Sequence, residues 1–304
     1  MCRDGRHCIR AVTGLNRGMA FIRHIQACNT HDAAAFLPFA VNGRPVGYVR
    51  PAFADRVASL SDAFRLTGGA APLLDLLPPD PARRSQAVAE VVAVLAAEGM
   101  VPPLRGEDFP VLAQWGQPEL LKIDRAAVPG FGVRGFGLHV NGYVPGPDGR
   151  IEMWVGRRAR DRGVAPGKLD NMVAGGQPAG LSLAENLAKE AHEEAGLDPG
   201  LARAAVPVGA ITYVFDTVAG LRRDTLFCYD LALSRDVIPR NTDGEVEAFE
   251  LWPLARVADS VRTTDDWKFN VNLVVIDFLI RHGQLNPDHE PNYMDLVTGL
   301  RATD

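Results

Sequence analysis

Residues Gly175 to Leu197 constrain this chain more than any other stretch: two adjacent glycines and a loop lead into a short helix bearing three clustered carboxylates. Ser182 is a good N-cap, and Glu185 three residues later completes a capping box. Gly196 suits the left-handed residue that ends a helix, so the spacing predicts a helix over Leu183 to Ala195. At 3.6 residues per turn, Leu183, Ala184, Leu187, Ala188, Ala191 and Ala195 form its apolar face. Glu190 and Glu194 fall at the edge of that face, with Glu193 beside them. Glu185, Lys189 and His192 point to the polar side. A solvated helix would set its glutamates opposite the apolar stripe. Carboxylates at its edge are costly to bury without a positive charge, and three within a turn repel one another. Oxygen-only donors at this density suit a hard cation such as Mg2+ or Mn2+.

The 304 residues allow one large domain or two ordinary ones. A formal net charge of −5 argues against a general nucleic-acid partner. No apolar run approaches the ~20 residues of a membrane span. The four cysteines, Cys2, Cys8, Cys28 and Cys228, lack metal-ligand spacing, which points to a reducing, cytoplasmic setting. A homodimer is the commonest assembly for such a chain.

Residues 1–18 hold little apolar pattern and read as a disordered arm, with Met19 a second possible start. Residues 19–128 read as a smaller α+β domain. Phe21 to Cys28 fits a helix, Asn42-Gly43 signals a hairpin, and Ala82 to Glu98 is an amphipathic helix. His24 and His31 read as solvent-facing or capping groups. Pro129 to Gly135 breaks regular structure and marks a boundary. The domain from 129 to 284 reads as β-rich with two flanking helices, followed by a tail, 285–304. Its strands run over Phe136–Val144 and Ile151–Arg158, with a hairpin about Ala219-Gly220 and a helix over Phe269–His282.

These residues resemble the Nudix box, G-x5-E-x7-R-E-U-x-E-E-x-G-U with U aliphatic. Gly175 takes the box glycine, Lys189-Glu190 the Arg-Glu pair, Glu193-Glu194 the Glu-Glu pair, and Gly196-Leu197 the end. Leu181 and Lys189 depart from it, both in the supporting pair rather than among the metal-binding carboxylates. Glu185, four residues before Lys189, is placed to replace the lost partner. The resemblance implies an αβα sandwich with a mixed sheet, preceded by the smaller α+β domain. It also implies hydrolysis of a small-molecule diphosphate with Mg2+ or Mn2+ held by Glu190, Glu193 and Glu194. Glu193 and Glu194 would take part in the catalysis. One further acid is expected from a later loop, Glu245 or Glu247, and Glu245 is preferred because it follows Gly244 outside the strand pattern. Phe136–Val144, Pro166–Asn171, Lys189–Glu194 and Asn241–Val246 are similar to the branch associated with thiamine pyrophosphokinase. That implies thiamine diphosphate or its oxidised analogues as substrate, with ADP-ribose and other nucleoside diphosphates as the alternative.

Other groups have two readings. Gly175 and Gly176 would lie against the substrate. Lys168 and the loop Arg157 to Arg162 either neutralise diphosphate oxygens or form a solvated basic loop. His139 and Asn141 share one strand face with Tyr143. They either bond a substrate ring, with Tyr143 or Trp154 stacked on it, or sit satisfied in the core. Trp252 and Trp267 read as core. An isomerase similar to isopentenyl-diphosphate isomerase would need a reactive cysteine, and Cys228 stands in a strand-like run with no activating base. A ligand-binding module that has lost its metal site conflicts with the three intact glutamates.

Overall fold

The computed structural model describes residues 21–69, 71–161 and 163–302. The expected arm, Met19, Cys2, Cys8 and Arg162 lie outside them. In chain order the elements begin with α1 (Ile22–Cys28), β1 (Leu37–Val41), β2 (Arg44–Val49), α2 (Pro51–Leu60), β3 (Phe64–Thr67), β4 (Leu73–Leu76) and α3 (Pro81–Ala97). Then come β5 (Asp108–Val111), β6 (Leu121–Asp124), α4 (Val128–Phe131), β7 (Arg134–Pro145), β8 (Ile151–Arg158), β9 (Leu169–Asp170) and β10 (Val173–Gly176). The rest are α5 (Leu183–Ala195), α6 (Pro199–Ala202), β11 (Val206–Thr217), β12 (Gly220–Ala232), β13 (Val246–Pro253), α7 (Leu254–Thr263), α8 (Val271–Arg281) and α9 (Tyr293–Gly299).

The first unit is a four-stranded sheet in the order β2-β1-β4-β3. Asn42 and Gly43 both take positive φ, as a tight two-residue hairpin between β1 and β2 requires. Val57 of α2 and Val88, Val91 and Leu95 of α3 pack with Phe39, Leu74 and Leu76 of the sheet. Phe131 joins this core, edge-on to Phe39 at 5.1 Å and to Phe53 at 5.2 Å. The segment expected as a boundary therefore anchors the first core, and the change of core falls at Val133–Arg134.

The second unit is a mixed seven-stranded sheet in the order β11-β12-β7-β8-β13, with β10 on β7 and β9 on β8. One face buries Leu138, Val140 and Val144 against Leu187, Ala191 and Ala195 of α5. The other buries Leu226 and Cys228 against α7 and α8. This is the expected αβα sandwich. Its second helical layer draws on both ends of the chain. Phe21, Ile22 and Ile25 pack there with Leu296 and Leu300, so α1 belongs to the second core and the expected tail is folded onto it. His24, expected at the surface or a cap, is buried with Nε2 2.8 Å from Val261 O near the end of α7. It caps a helix supplied by the other end of the sequence. Among the described residues no helix is long and apolar enough to cross a membrane.

Candidate active site

Helix α5 starts where the capping box is made. Ser182 Oγ accepts from Glu185 N at 3.2 Å, and Glu185 Oε2 accepts from Ser182 N at 2.8 Å. It ends at Gly196, whose φ is 63°. Between these caps α5 lies along β10. Asn186 Nδ2 donates to Gly176 O at 2.7 Å and to Gln177 Oε1 at 3.2 Å, and Gln177 Nε2 donates to Leu181 O at 2.7 Å. At the far end, Glu194 Oε2 accepts from Ala174 N at 2.8 Å. Glu190 lies between, against Gly175, where a side chain at 175 would collide with its carboxyl.

Burial pushes the Glu194 carboxyl well above the usual carboxylate range, and the single backbone N–H of Ala174 only partly opposes this. Glu190 is also raised by desolvation, with Lys189 opposing. Glu193 is half-buried. Lys189 Nζ lies 3.2 Å from Glu190 Oε1 and 2.7 Å from Glu193 Oε2. The expected Glu185–Lys189 brace is thus corrected, because the Glu185 carboxylate is committed to the Ser182 cap. The late acid also comes near. Glu245 is close enough for its charge to act on Glu194, whereas Glu247 is exposed and 3.9 Å from Arg160. Among the described residues no three His, Cys, Asp or Glu side chains form a ready-made metal cage.

His139 and Asn141 stand elsewhere. His139 Nδ1 lies 2.8 Å from Asn171 Oδ1, Asn171 Nδ2 donates to Asn141 Oδ1 at 2.8 Å, and Asn141 Nδ2 donates to Asp230 Oδ1 at 3.0 Å. His139 is 3% exposed and Asn141 0%. These are satisfied core groups, a correction to the expected substrate contact, because helices cover that face of β7. Tyr143 likewise packs edge-on to Phe278, and Trp154 is buried in the cluster beneath α5. Lys168 Nζ donates to Asp265 O at 2.6 Å, which turns it to a loop carbonyl. Arg157 donates to Gly167 O, so that part of the basic loop braces its own turn.

Several site groups escape a reading of sequence alone. Arg158 and Lys268 both pair with buried Asp170, at 2.7 and 3.3 Å. Although burial pushes Asp170 up, the charges of Lys268, His139 and Arg158 hold it below the usual range. Asn186 and Gln177, which lock the glycine loop, had a signal in their position inside the motif. From the first unit, Asp108 O accepts from Ala179 N at 2.8 Å, and Phe109 packs on Gly176. Both cysteines described are buried and free, and burial pushes Cys28 up to about 12 and Cys228 further. Neither is a nucleophile, which removes the isomerase reading.

Comparisons with known proteins find relatives over most of the chain. A family described as a domain of unknown function, DUF4743, matches residues 20–135. Nudix hydrolase 24, chloroplastic, of Arabidopsis thaliana is 41% identical over 287 residues, which is 93% of this chain and 78% of that protein. Nudix hydrolase 20, chloroplastic, of the same plant is 40% identical over 294 residues with the same two shares. Among solved structures, DR0079 from Deinococcus radiodurans is similar at 19% identity and a TM-score of 0.39, covering 56% of this chain and 96% of that one.

Proposed function

The chain belongs to the Nudix hydrolase family, and from that premise we propose that it cleaves a small-molecule diphosphate with Mg2+ or Mn2+ held by Glu190, Glu193 and Glu194. One observation carries the metal reading: Glu194 is buried at the glycine strand, where the backbone N–H of Ala174 is the hydrogen bond that opposes its desolvation, and Glu190 is raised beside it. The donor set is oxygen only, which fits a hard divalent ion. Lys189 lies on two of the three carboxylates, but it is exposed and anchored only to its own helix, so it can swing away at little cost. When bound, the ion supplies charge for the diphosphate oxygens and makes a coordinated water more acidic.

The chain's own residues then have distinct tasks. The backbone N–H of Ala174 fixes Glu194, and the bare Cα atoms of Gly175 and Gly176 let the Glu190 carboxyl and the Phe109 ring close on the two faces of the strand. Glu245 is the candidate to receive a proton from the attacking water, since it comes from a separate loop to the side of Glu194. Thiamine diphosphate or an oxidised analogue is the preferred substrate, with ADP-ribose as the alternative, because both present the same diphosphate to these groups. A cytoplasmic setting and a homodimer belong to the same proposal, although the two plant relatives carry chloroplastic names.

The test is a side-by-side assay of thiamine diphosphate, its oxidised analogues and ADP-ribose with and without Mg2+. Glu193→Gln and Glu194→Gln should each lower kcat by at least ~100-fold, as loss of charged groups acting on the transition state does. Equal turnover by the parent and these variants would sink the metal assignment. Turnover of ADP-ribose alone would sink the thiamine reading.

A further inference from the structure

The glycine strand is approached from both of its faces. Successive strand residues point to opposite sides, and here Gly175 faces Glu190 while Gly176 faces the first unit. A side chain at 176 would meet Phe109 Cζ at 2.5 Å and Arg125 Cζ at 3.4 Å. The only strand that pairs with β10 among the described residues is β7. Its second edge therefore runs between the carboxylates of α5 and these two side chains.

Arg125 is held there by several independent restraints. It opens a 3-10 turn, Arg125–Ala127, capped by Asp124 Oδ1, which accepts from Ala126 N at 2.8 Å. Arg125 N donates to Glu107 O at 2.9 Å. The guanidinium lies over the Phe109 ring, 5.4 Å from its centroid, and Nη1 is 2.9 Å from Glu107 Oε2. Glu107 is in turn near enough for its charge to act on Glu190. Arg158 and Lys268 are committed to buried Asp170, and Lys189 rests on the carboxylates of its own helix, on the Glu190 face of the strand. Arg125 is half-exposed, its ionic partner among the described residues is the partly exposed Glu107 carboxylate, and pairs so open to solvent exchange partners at little cost.

We propose that the first unit completes the diphosphate site, with Arg125 leaving Glu107 to bind phosphate oxygens of the substrate at the edge of the glycine strand. This rests on the diphosphohydrolase reading above. Arg suits the task because its planar fork matches two phosphate oxygens at once. Glu107 then acts as a place-holder that keeps the side chain extended over Phe109 and competes with the substrate.

That competition gives two variants opposite signs. The full chain is assayed with Mg2+ on whichever of thiamine diphosphate and ADP-ribose the parent hydrolyses. Binding of methylenebisphosphonate is measured in parallel by calorimetry. Arg125→Gln should raise KM and weaken the bisphosphonate by roughly ten- to a hundredfold, the worth of a charge-assisted contact, with kcat changed much less. Arg125→Lys should recover part of the loss. Glu107→Gln should lower KM, because the competitor is gone, whereas a purely structural pair predicts harm from both changes. An unchanged KM in Arg125→Gln, or a loss of kcat in Glu107→Gln comparable to that of Glu193→Gln, overturns the inference while leaving the hydrolase reading intact. A parent that hydrolyses no diphosphate fails the underlying reading instead.

Discussion

His139 offers the sharpest separation between a core and a substrate role, because its burial has a pH signature. Desolvation first, and the Lys268 charge second, lower its pKa from 6.5 to about 4. The unfolded chain takes up a proton below 6.5 that the folded chain refuses until about 4. Stability from this group is therefore fully present above 6.5 and is lost as pH falls. At roughly 1.4 kcal/mol per pH unit, the loss is about 2 kcal/mol by pH 5 and about 3 kcal/mol by pH 4. Solvent screening does not reduce it, since the ring is 3% exposed. The assay is urea unfolding of the parent and His139→Gln at pH 7, 6 and 5. The variant should be weaker at pH 7 by about 1–3 kcal/mol, because Asn171 Oδ1 loses a well-placed donor. Its deficit should close by about 2 kcal/mol at pH 5, and subtraction cancels every other titrating group. Parallel stability curves would refute the argument. So would a variant of unaltered stability whose KM alone rises, since that is the behaviour of a substrate contact.

Two further predictions concern geometry. Gly175→Ala places a methyl group against the Glu190 carboxyl, 2.6 Å from its Oε2. It should lower kcat by roughly a hundredfold with little change in Tm, as sub-ångström to ångström misplacement of a catalytic group does; thermal melts and initial rates read the two effects separately. Arg281→Met removes a guanidinium that bridges Asp230 and Asp277, with Nε 2.7 Å from Asp277 Oδ2 and Nη2 3.0 Å from Asp230 Oδ1. Stranding two largely buried carboxylates should cost roughly 3 kcal/mol in chemical denaturation, and a loss under about 1 kcal/mol would mean that His282 and Arg301 suffice as partners.

The bounds of α5 and both of its caps were legible because capping is decided by residues three or four positions apart. The same holds for β8, whose bounds match the expected Ile151–Arg158. The partner of Lys189 was misjudged for an instructive reason. Glu185 and Glu193 are both four residues away, so spacing alone cannot choose between them. The choice follows from the cap: a carboxylate already accepting from Ser182 N and Oγ has little left for a lysine. The Asp170–Lys268 pair spans 98 positions, and the place of Arg125 depends on how one sheet docks on another. No local pattern encodes such distances. Alternation on β7 correctly put His139, Asn141 and Tyr143 on one face, but period alone does not tell which helices cover that face.

The two glycines at 175 and 176 show why the units cannot be read separately. Within the second unit alone, only Gly175 has a packing reason to lack a side chain, because Glu190 fills that space. The reason at 176 comes from Phe109 of the first unit. Ala179 N is likewise satisfied by Asp108 O rather than by anything in its own sheet. The exchange also runs the other way, since Arg223 of β12 donates to Gly132 O at 3.0 Å and Val46 O at 3.4 Å in the first unit. Each unit thus supplies groups that the other needs, one at the glycine strand and one at β12. A hinge at Val133–Arg134 would expose Gly176 and break the Ala179–Asp108 bond together. The wall opposite Glu190 is therefore tied to the glycine strand at two points, which is the condition under which Arg125 can act on the same diphosphate as the carboxylates of α5.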